Sequence, residues 1–234
     1  PTSVVSYFGQ VFYIYEDGFM ALNGVTPQHI GNSRVDRFFW DQFDITNRRY
    51  VSAAINPVEK IVAWAFPGAG SVSNLPNRLL MCKYDEMKWS EAEIDTQILL
   101  STQTQGYTLD SLDTVGTNID NAAVFDESLD SDKWRGGAFR FAAFSSANRL
   151  SFFTGATLGA TIVTGDMQPV PGKRWQINSV RPLVDGGDAR VAIAGRTRLT
   201  DAVSYGNSSD MNVDGLCQVR GEGRYQRLRL SLSS

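Results

Sequence analysis

His29 is the one histidine in the chain, and that alone limits the available chemistry. A zinc site of two or three imidazoles cannot be built from it. A Ser-His-Asp triad would have to use it, yet no Gly-x-Ser-x-Gly elbow occurs. Its context, Thr26-Pro27-Gln28-His29-Ile30-Gly31, reads as an exposed surface turn. Cys82 and Cys217 lie far apart and form no C-x-x-C, so they are expected to be reduced core thiols, not a disulfide framework. Gly172-Lys173-Arg174 lacks the hydroxyl and the upstream glycine of a P-loop. Gly155 and Gly159 are too few for a dinucleotide fingerprint. The expectation is a protein that is not an enzyme, with no catalytic residue, no cofactor and no metal.

Three groups of residues carry other chemistry. Asp110, Asp113, Asp120, Asp126, Glu127, Asp130 and Asp132 fall in a stretch, 110–132, that has no Lys or Arg. A Ca²⁺ site needs such oxygens, but the spacing departs from the D-x-D-x-D-G loop. An acidic, loop-rich, solvated excursion over 102–135 is the expectation. Trp40, Trp64, Trp89, Trp134 and Trp175 are numerous enough to line a sugar groove, although packing roles in a β protein are the simpler reading. Carboxylate pairs for glycoside hydrolysis stay open, because the fold and not the spacing sets them. Lastly, Arg220, Arg224, Arg227 and Arg229 crowd the C-terminal strand among Tyr225, Leu228 and Leu230. Period two puts Tyr225, Arg227 and Arg229 on one face and the leucines on the other. That cationic stripe is either an ordinary solvated face or a protein–protein surface, since Arg and Tyr suit interface anchors. DNA contact is the weaker option for a chain with 22 Lys and Arg against 25 Asp and Glu, net −3.

The elements that would position these residues are mostly strands. A chain of 234 residues, 42% hydrophobic and 20% charged, has the make-up of a globular protein and is long enough for a real core. It shows no apolar run of the length of a membrane helix and no signal peptide at its start. Short aromatic or β-branched runs at 4–8, 11–15 and 19–22 are separated by Gly9-Gln10 and Glu16-Asp17-Gly18, with Asn23-Gly24 after the last. Ser33, three residues before Asp36, resembles a capping box, and Val35, Phe38, Phe39 and Phe43 recur at helical spacing. One short helix is expected near 33–44, with its aromatics in the core. Strands are then expected at 50–55, 60–66, 78–84 and 88–94, with the second apolar on both faces and therefore buried on both sides. Four up-and-down strands in this span have the length of a propeller blade. A second unit of similar spacing is expected from strands at 139–144, 149–153, 157–163 and 174–180. Further strands are expected at 189–198 and 223–232, with a loop over 204–215 that includes the formal sequon Asn207-Ser208-Ser209. The fold class expected is all-β: antiparallel four-stranded meanders, β-propeller-like, with a β-sandwich as the alternative. The expected organisation is a single β domain over 1–234.

Several segments, in order, resemble the β-propeller tail-hub or nozzle proteins of short-tailed bacteriophages, the group that includes packaged-DNA stabilisation proteins. They are Gly18-Phe19-Met20-Ala21-Leu22-Asn23-Gly24, Val35-Asp36-Arg37-Phe38-Phe39 and Asn56-Pro57-Val58-Glu59-Lys60-Ile61-Val62-Ala63-Trp64. Asn77-Arg78-Leu79-Leu80 with Tyr84 and Trp89-Ser90, and Arg220-Gly221-Glu222-Gly223-Arg224-Tyr225-Gln226-Arg227-Leu228-Arg229, complete the set. The resemblance implies a virion structural protein in the tail, assembled in the bacterial host cytoplasm. It implies a homo-oligomeric ring below the portal that forms part of the tail channel. Its partners would be other tail and portal or adaptor proteins, with genome DNA at most in transit and no membrane in the assembled particle. Within such a ring, Arg220, Arg224, Tyr225, Arg227 and Arg229 of one copy would meet Asp126, Glu127, Asp130 and Asp132 of the next. A propeller of several blades strains this length, and the chain starts at Pro1 close to a strand, so part of a longer propeller is one expectation and a sandwich the other. The competing function is a carbohydrate-binding or carbohydrate-active β-propeller domain of a phage tail.

Overall fold

The computed structural model describes residues 3–104, 106, 136–184 and 188–233. The chain is mostly β, in antiparallel sheets, and divides into two compact units, Pro1–Thr154 and Gly155–Ser234. The sequence reading expects a single β domain over 1–234, within which these two units are distinguished. Among the described residues the sheets close into neither a barrel nor a propeller ring.

The first unit is built from consecutive meanders. Strands β1 (Val5–Tyr7), β2 (Gln10–Tyr15), β3 (Gly18–Asn23) and β4 (Thr26–His29) form a sheet in chain order. Phe8 and Gly9 both have positive φ, 44° and 80°, which matches the right-handed twist of the flanking strands β1 and β2. Helix α1 (Arg34–Gln42) and a 3₁₀ turn (Ile45–Tyr50) follow. Then β5 (Ser52–Asn56), β6 (Ile61–Phe66), β7 (Arg78–Lys83) and β8 (Lys88–Glu93) make a second sheet in chain order. The third has only β9 (Ile98–Gln103), β10 (Phe139–Phe144) and β11 (Leu150–Phe152).

The three sheets stack, and β6 shows why. Val62, Trp64 and Phe66 point into one core with Phe12, Phe19, Phe39, Leu80 and Cys82, which come from the first sheet, α1 and β7. Ala63 and Ala65, on the opposite face, join Ala54, Leu79, Leu99, Phe141 and Ala143 in a second core against the third sheet. Alternation at period two therefore feeds large side chains to one layer and small ones to the other. Aromatic rings knit the first core: Phe19 lies 5.0 Å from Phe39 and 4.8 Å from Trp64, and Trp64 stacks on Trp89 at 5.8 Å and 19°. The first strands of successive sheets adjoin, with β5 packed against both β1 and β9. Two serines tie β5 to β9 reciprocally: Leu99 N donates to Ser52 Oγ at 2.9 Å and Ile55 N to Ser101 Oγ at 2.7 Å.

Helix α1 is anchored by a buried carboxylate. Asp36 accepts from Phe19 N on β3 at 2.9 Å and from Ser33 N at 2.8 Å. Gly18 and Gly31 leave room for it. A Cβ at Gly18 would sit 2.0 Å, and one at Gly31 1.8 Å, from Asp36 Oδ1. The helix matches the expected one closely, but Phe38 is exposed while Phe39 is buried, so only some of its aromatics are core.

The second unit departs most from expectation. Strands β12 (Ala160–Val163), β13 (Trp175–Val180), β14 (Ala189–Arg196), β15 (Ser209–Asp210), β16 (Cys217–Gly223) and β17 (Tyr225–Leu232) do not form a meander. Their sheets are β12-β17-β14-β15 and β13-β16. The expected second blade is therefore not formed: β10 pairs with both β9 and β11, β12 with β17, and β13 with β16. Strand β16 is not among the expected strands, and it carries Gly221 and Gly223. They are needed where β14 and β16 approach: a Cβ at Gly221 would lie 2.3 Å from Ile193 Cγ2, and one at Gly195 2.2 Å from Glu222 O. The core between them holds Val191, Ile193, Cys217 and Val219, with Ile177 and Val180 from β13. A register shift between Ile177 and Ser179 lets both of those β13 residues pack inward despite their odd spacing.

The Asp36 anchor is testable. Asp36→Ala strands two backbone donors and should lower the unfolding free energy in urea by about 2–4 kcal/mol. Gly31→Ala should lower it by about 1–3 kcal/mol through overpacking against the same carboxylate.

Candidate interaction surfaces

The Arg-rich C-terminal segment is not one free stripe. Arg220 lies on β16, whose residues alternate: Cys217, Val219, Gly221 and Gly223 are buried, and Gln218, Arg220 and Glu222 are exposed. Arg224 sits at the corner between β16 and β17 and is half-buried. Its N donates to Arg196 O at 3.0 Å and its O accepts from Trp175 Nε1 at 3.3 Å. Tyr225, Arg227 and Arg229 do share a face of β17, as period two predicts, but that face is only half-exposed. Arg227 Nη2 donates to Asp166 Oδ2 at 2.8 Å, and Arg229 lies over the Tyr205 ring at 4.3 Å. The opposite face carries Leu228 and Leu230 toward the core, together with the fully buried Gln226. Gln226 Nε2 donates to Trp175 O at 2.7 Å.

The carboxylate partner of this segment is Asp166, a residue that sequence reasoning missed. It also takes Arg196 in a two-pronged ion pair, with Arg196 Nε donating to Oδ1 at 3.1 Å and Nη2 donating to Oδ2. Arg196 Nη1 donates to Leu199 O and Asp201 O at 2.7 and 3.0 Å. The hydrogen bond from Arg227, helped by Arg196, holds the Asp166 carboxyl below its ordinary range against the opposing effect of burial. No local pattern announces a contact between residues 30 and 61 positions apart. Asp126, Glu127, Asp130 and Asp132, the acids proposed to meet the arginines, lie outside the described residues, as does Trp134.

Other expected residues fall as follows. His29 is exposed, but on edge strand β4 and not in a turn. Its Nε2 donates to Asp17 O at 3.0 Å and lies 3.3 Å from Asp36 Oδ2. Cys82 and Cys217 are free and buried, and burial pushes the Cys82 thiol up to about 12 and raises that of Cys217. Trp64 is buried in the first core, Trp40 and Trp89 pack half-buried against it, and Trp175 is half-buried. Asn207 is exposed. Among the described residues no cluster of His, Cys, Asp and Glu has the make-up of a metal site, and no helix is long and apolar enough to cross a membrane.

The sheet edges differ in character. Edge strand β4 carries Pro27, and β8 carries Lys88, Glu91 and Glu93. Both are devices that discourage further strand pairing. By contrast, β11 and β12, the outer strands of their own sheets, are uncharged and exposed at every residue. In the first unit Leu150, Phe152 and Phe153 are exposed, and in the second Leu158, Ile162 and Val163 are. Exposed apolar edges of this kind are suited to interaction.

No family model matches the chain, and no curated protein sequence matches it.

Two measurements follow from this geometry. Because the Asp166 pKa is lowered on folding, its stabilisation is complete above the unfolded carboxylate range and is lost as pH falls through the lower folded value. Urea titrations of wild type and Asp166→Asn should differ near neutral pH and converge in acid. The two buried thiols should both resist a disulfide-exchange reagent at pH 8 in native protein and react rapidly after unfolding.

Proposed function

We propose that this chain is a non-enzymatic structural component of a bacteriophage tail, a hub or nozzle protein that assembles as a ring below the portal and contributes to the tail channel. The order of the motifs resembling tail-hub proteins motivates the reading. The observation that carries it is the pair of unprotected, uncharged edges β11 and β12, set in a chain that guards β4 with proline and β8 with charge. An edge left open in a protein that protects others is suited to a partner. A propeller-like arrangement is part of the proposal: consecutive meanders stack face to face, and the first strands β1, β5 and β9 adjoin, as inner strands of successive blades do. Arg220, on the exposed face of β16, is the member of the cationic set best placed to meet a neighbour, since Arg227 is already paired with Asp166.

Light scattering across a concentration series, with and without the portal-side tail protein, tests assembly. A ring-sized species is the expected result, and a monomer under every condition overturns the proposal. Leu150→Lys combined with Ile162→Lys should leave folding stability within about 0.5 kcal/mol, because both residues are exposed, yet reduce the assembled fraction.

A further inference from the structure

The first unit contains an aromatic hollow of about 450 Å3 that no part of the assembly reading uses. Phe39, Trp40 and Phe43, from α1 and the residue after it, line it, together with Tyr15 from the end of β2. Phe39 and Phe43 are stacked at 4.8 Å, and Trp40 meets each edge-on at 5.0 and 5.7 Å. Tyr15 is 54% exposed, so a large aromatic plate faces solvent at the mouth. Glu16 and Arg48, both exposed, line the same hollow. Neither side chain makes a hydrogen bond or ion pair among the described residues, and neither do Tyr15 Oη or Trp40 Nε1.

That combination differs from that of a larger hollow in the same unit. The space beside Asn77 and Arg78 measures about 510 Å3, but its polar groups are already engaged. Arg78 pairs with Glu91 and Glu93, and Asn77 bonds Gly68 and Ala69. In the aromatic hollow the side chains of Glu16 and Arg48 are not engaged in this way.

We infer that this hollow is a binding site for a neutral saccharide. A pyranose ring has an apolar face of C–H groups and a rim of hydroxyls. Aromatic plates bury the first. A carboxylate, which only accepts, and a guanidinium, which only donates, satisfy the second. The charges of Glu16 and Arg48 cancel, which disfavours an ionic ligand. The volume falls within the range of small-molecule sites. Tyr15 and Trp40 supply the stacking surface, Arg48 and Glu16 the hydroxyl contacts, and Phe39 and Phe43 the floor. The site is independent of the ring, so either proposal can fail alone.

The test uses the full chain and a panel of neutral methyl glycosides and disaccharides of glucose, galactose, mannose, rhamnose and N-acetylglucosamine, read by saturation-transfer NMR. At least one is expected to bind, with saturation strongest on ring C–H protons. Tyr15→Ala and Arg48→Ala, both at exposed positions, should each weaken that binding about tenfold, with unchanged melting temperature. Glu16→Gln, which keeps the side-chain shape, is the second carboxylate-side variant should Tyr15→Ala fold poorly, and a similar loss is expected from it. Arg78→Ala should bind as wild type. The inference is overturned if no glycoside binds at about 10 mM, or if binding survives both Tyr15→Ala and Arg48→Ala. It is also overturned if the same variants abolish binding to anionic lipid vesicles and leave glycoside binding intact, which would assign the hollow to a membrane surface.

Discussion

The buried carboxylate of Asp36 holds the first unit together at the point where a helix interrupts a run of strands. Its oxygens satisfy the Phe19 N–H of β3 and the Ser33 N–H before α1, two donors that would otherwise be stranded. The His29 ring closes the outer side. Gly18 and Gly31 are the steric condition for this, since a Cβ at either would occupy the space of the carboxylate. Once α1 is pinned, Phe39 is driven against Phe19 and Phe66, and one aromatic core joins the first sheet, the helix and the second sheet.

The stacking of the first unit then follows from side-chain size on β6. Its large residues face the helix-bearing side and its alanines face the third sheet. Small residues let β5 and β9 come close enough for serine hydroxyls to cap backbone N–H groups across the gap. The aromatic hollow beside Trp40 is a by-product of the same geometry: α1 leans on the core through Phe39 and leaves Trp40 and Phe43 at its margin. The stack thus creates both an anchored core and an open mouth.

In the second unit the organising contact is ionic. Asp166 gathers Arg196 from β14 and Arg227 from β17, so two neighbouring strands are fastened from the segment that continues β12 along β17. The aliphatic core of Val191, Ile193, Cys217 and Val219 lies on the other side of β14, where glycines permit close approach. The cationic surface that the C-terminal sequence suggests is therefore partly consumed inside the unit. Of the cationic set, Arg220 is exposed on β16, while Arg227 is paired with Asp166.

The sequence by itself determined the β class, the short helix, the meander of β5 to β8 and the burial of both cysteines. Each of these rests on local signals: period-two or period-3.6 patterning, turn residues and an apolar run too dense to be solvated. Only the tertiary structure decided the rest. The pairing of β12 with β17 and β13 with β16 joins residues dozens of positions apart, and no spacing encodes it. Nothing local marks β16, whose Gly221 lies against Ile193 and whose Glu222 O lies against Gly195 of β14. Asp166 was one acid among many until Arg196 and Arg227 converged on it. Trp40, Trp64 and Trp89 are the same letter in a chain, and only the fold buries Trp64 fully while Trp40 and Trp89 pack half-buried against the same core.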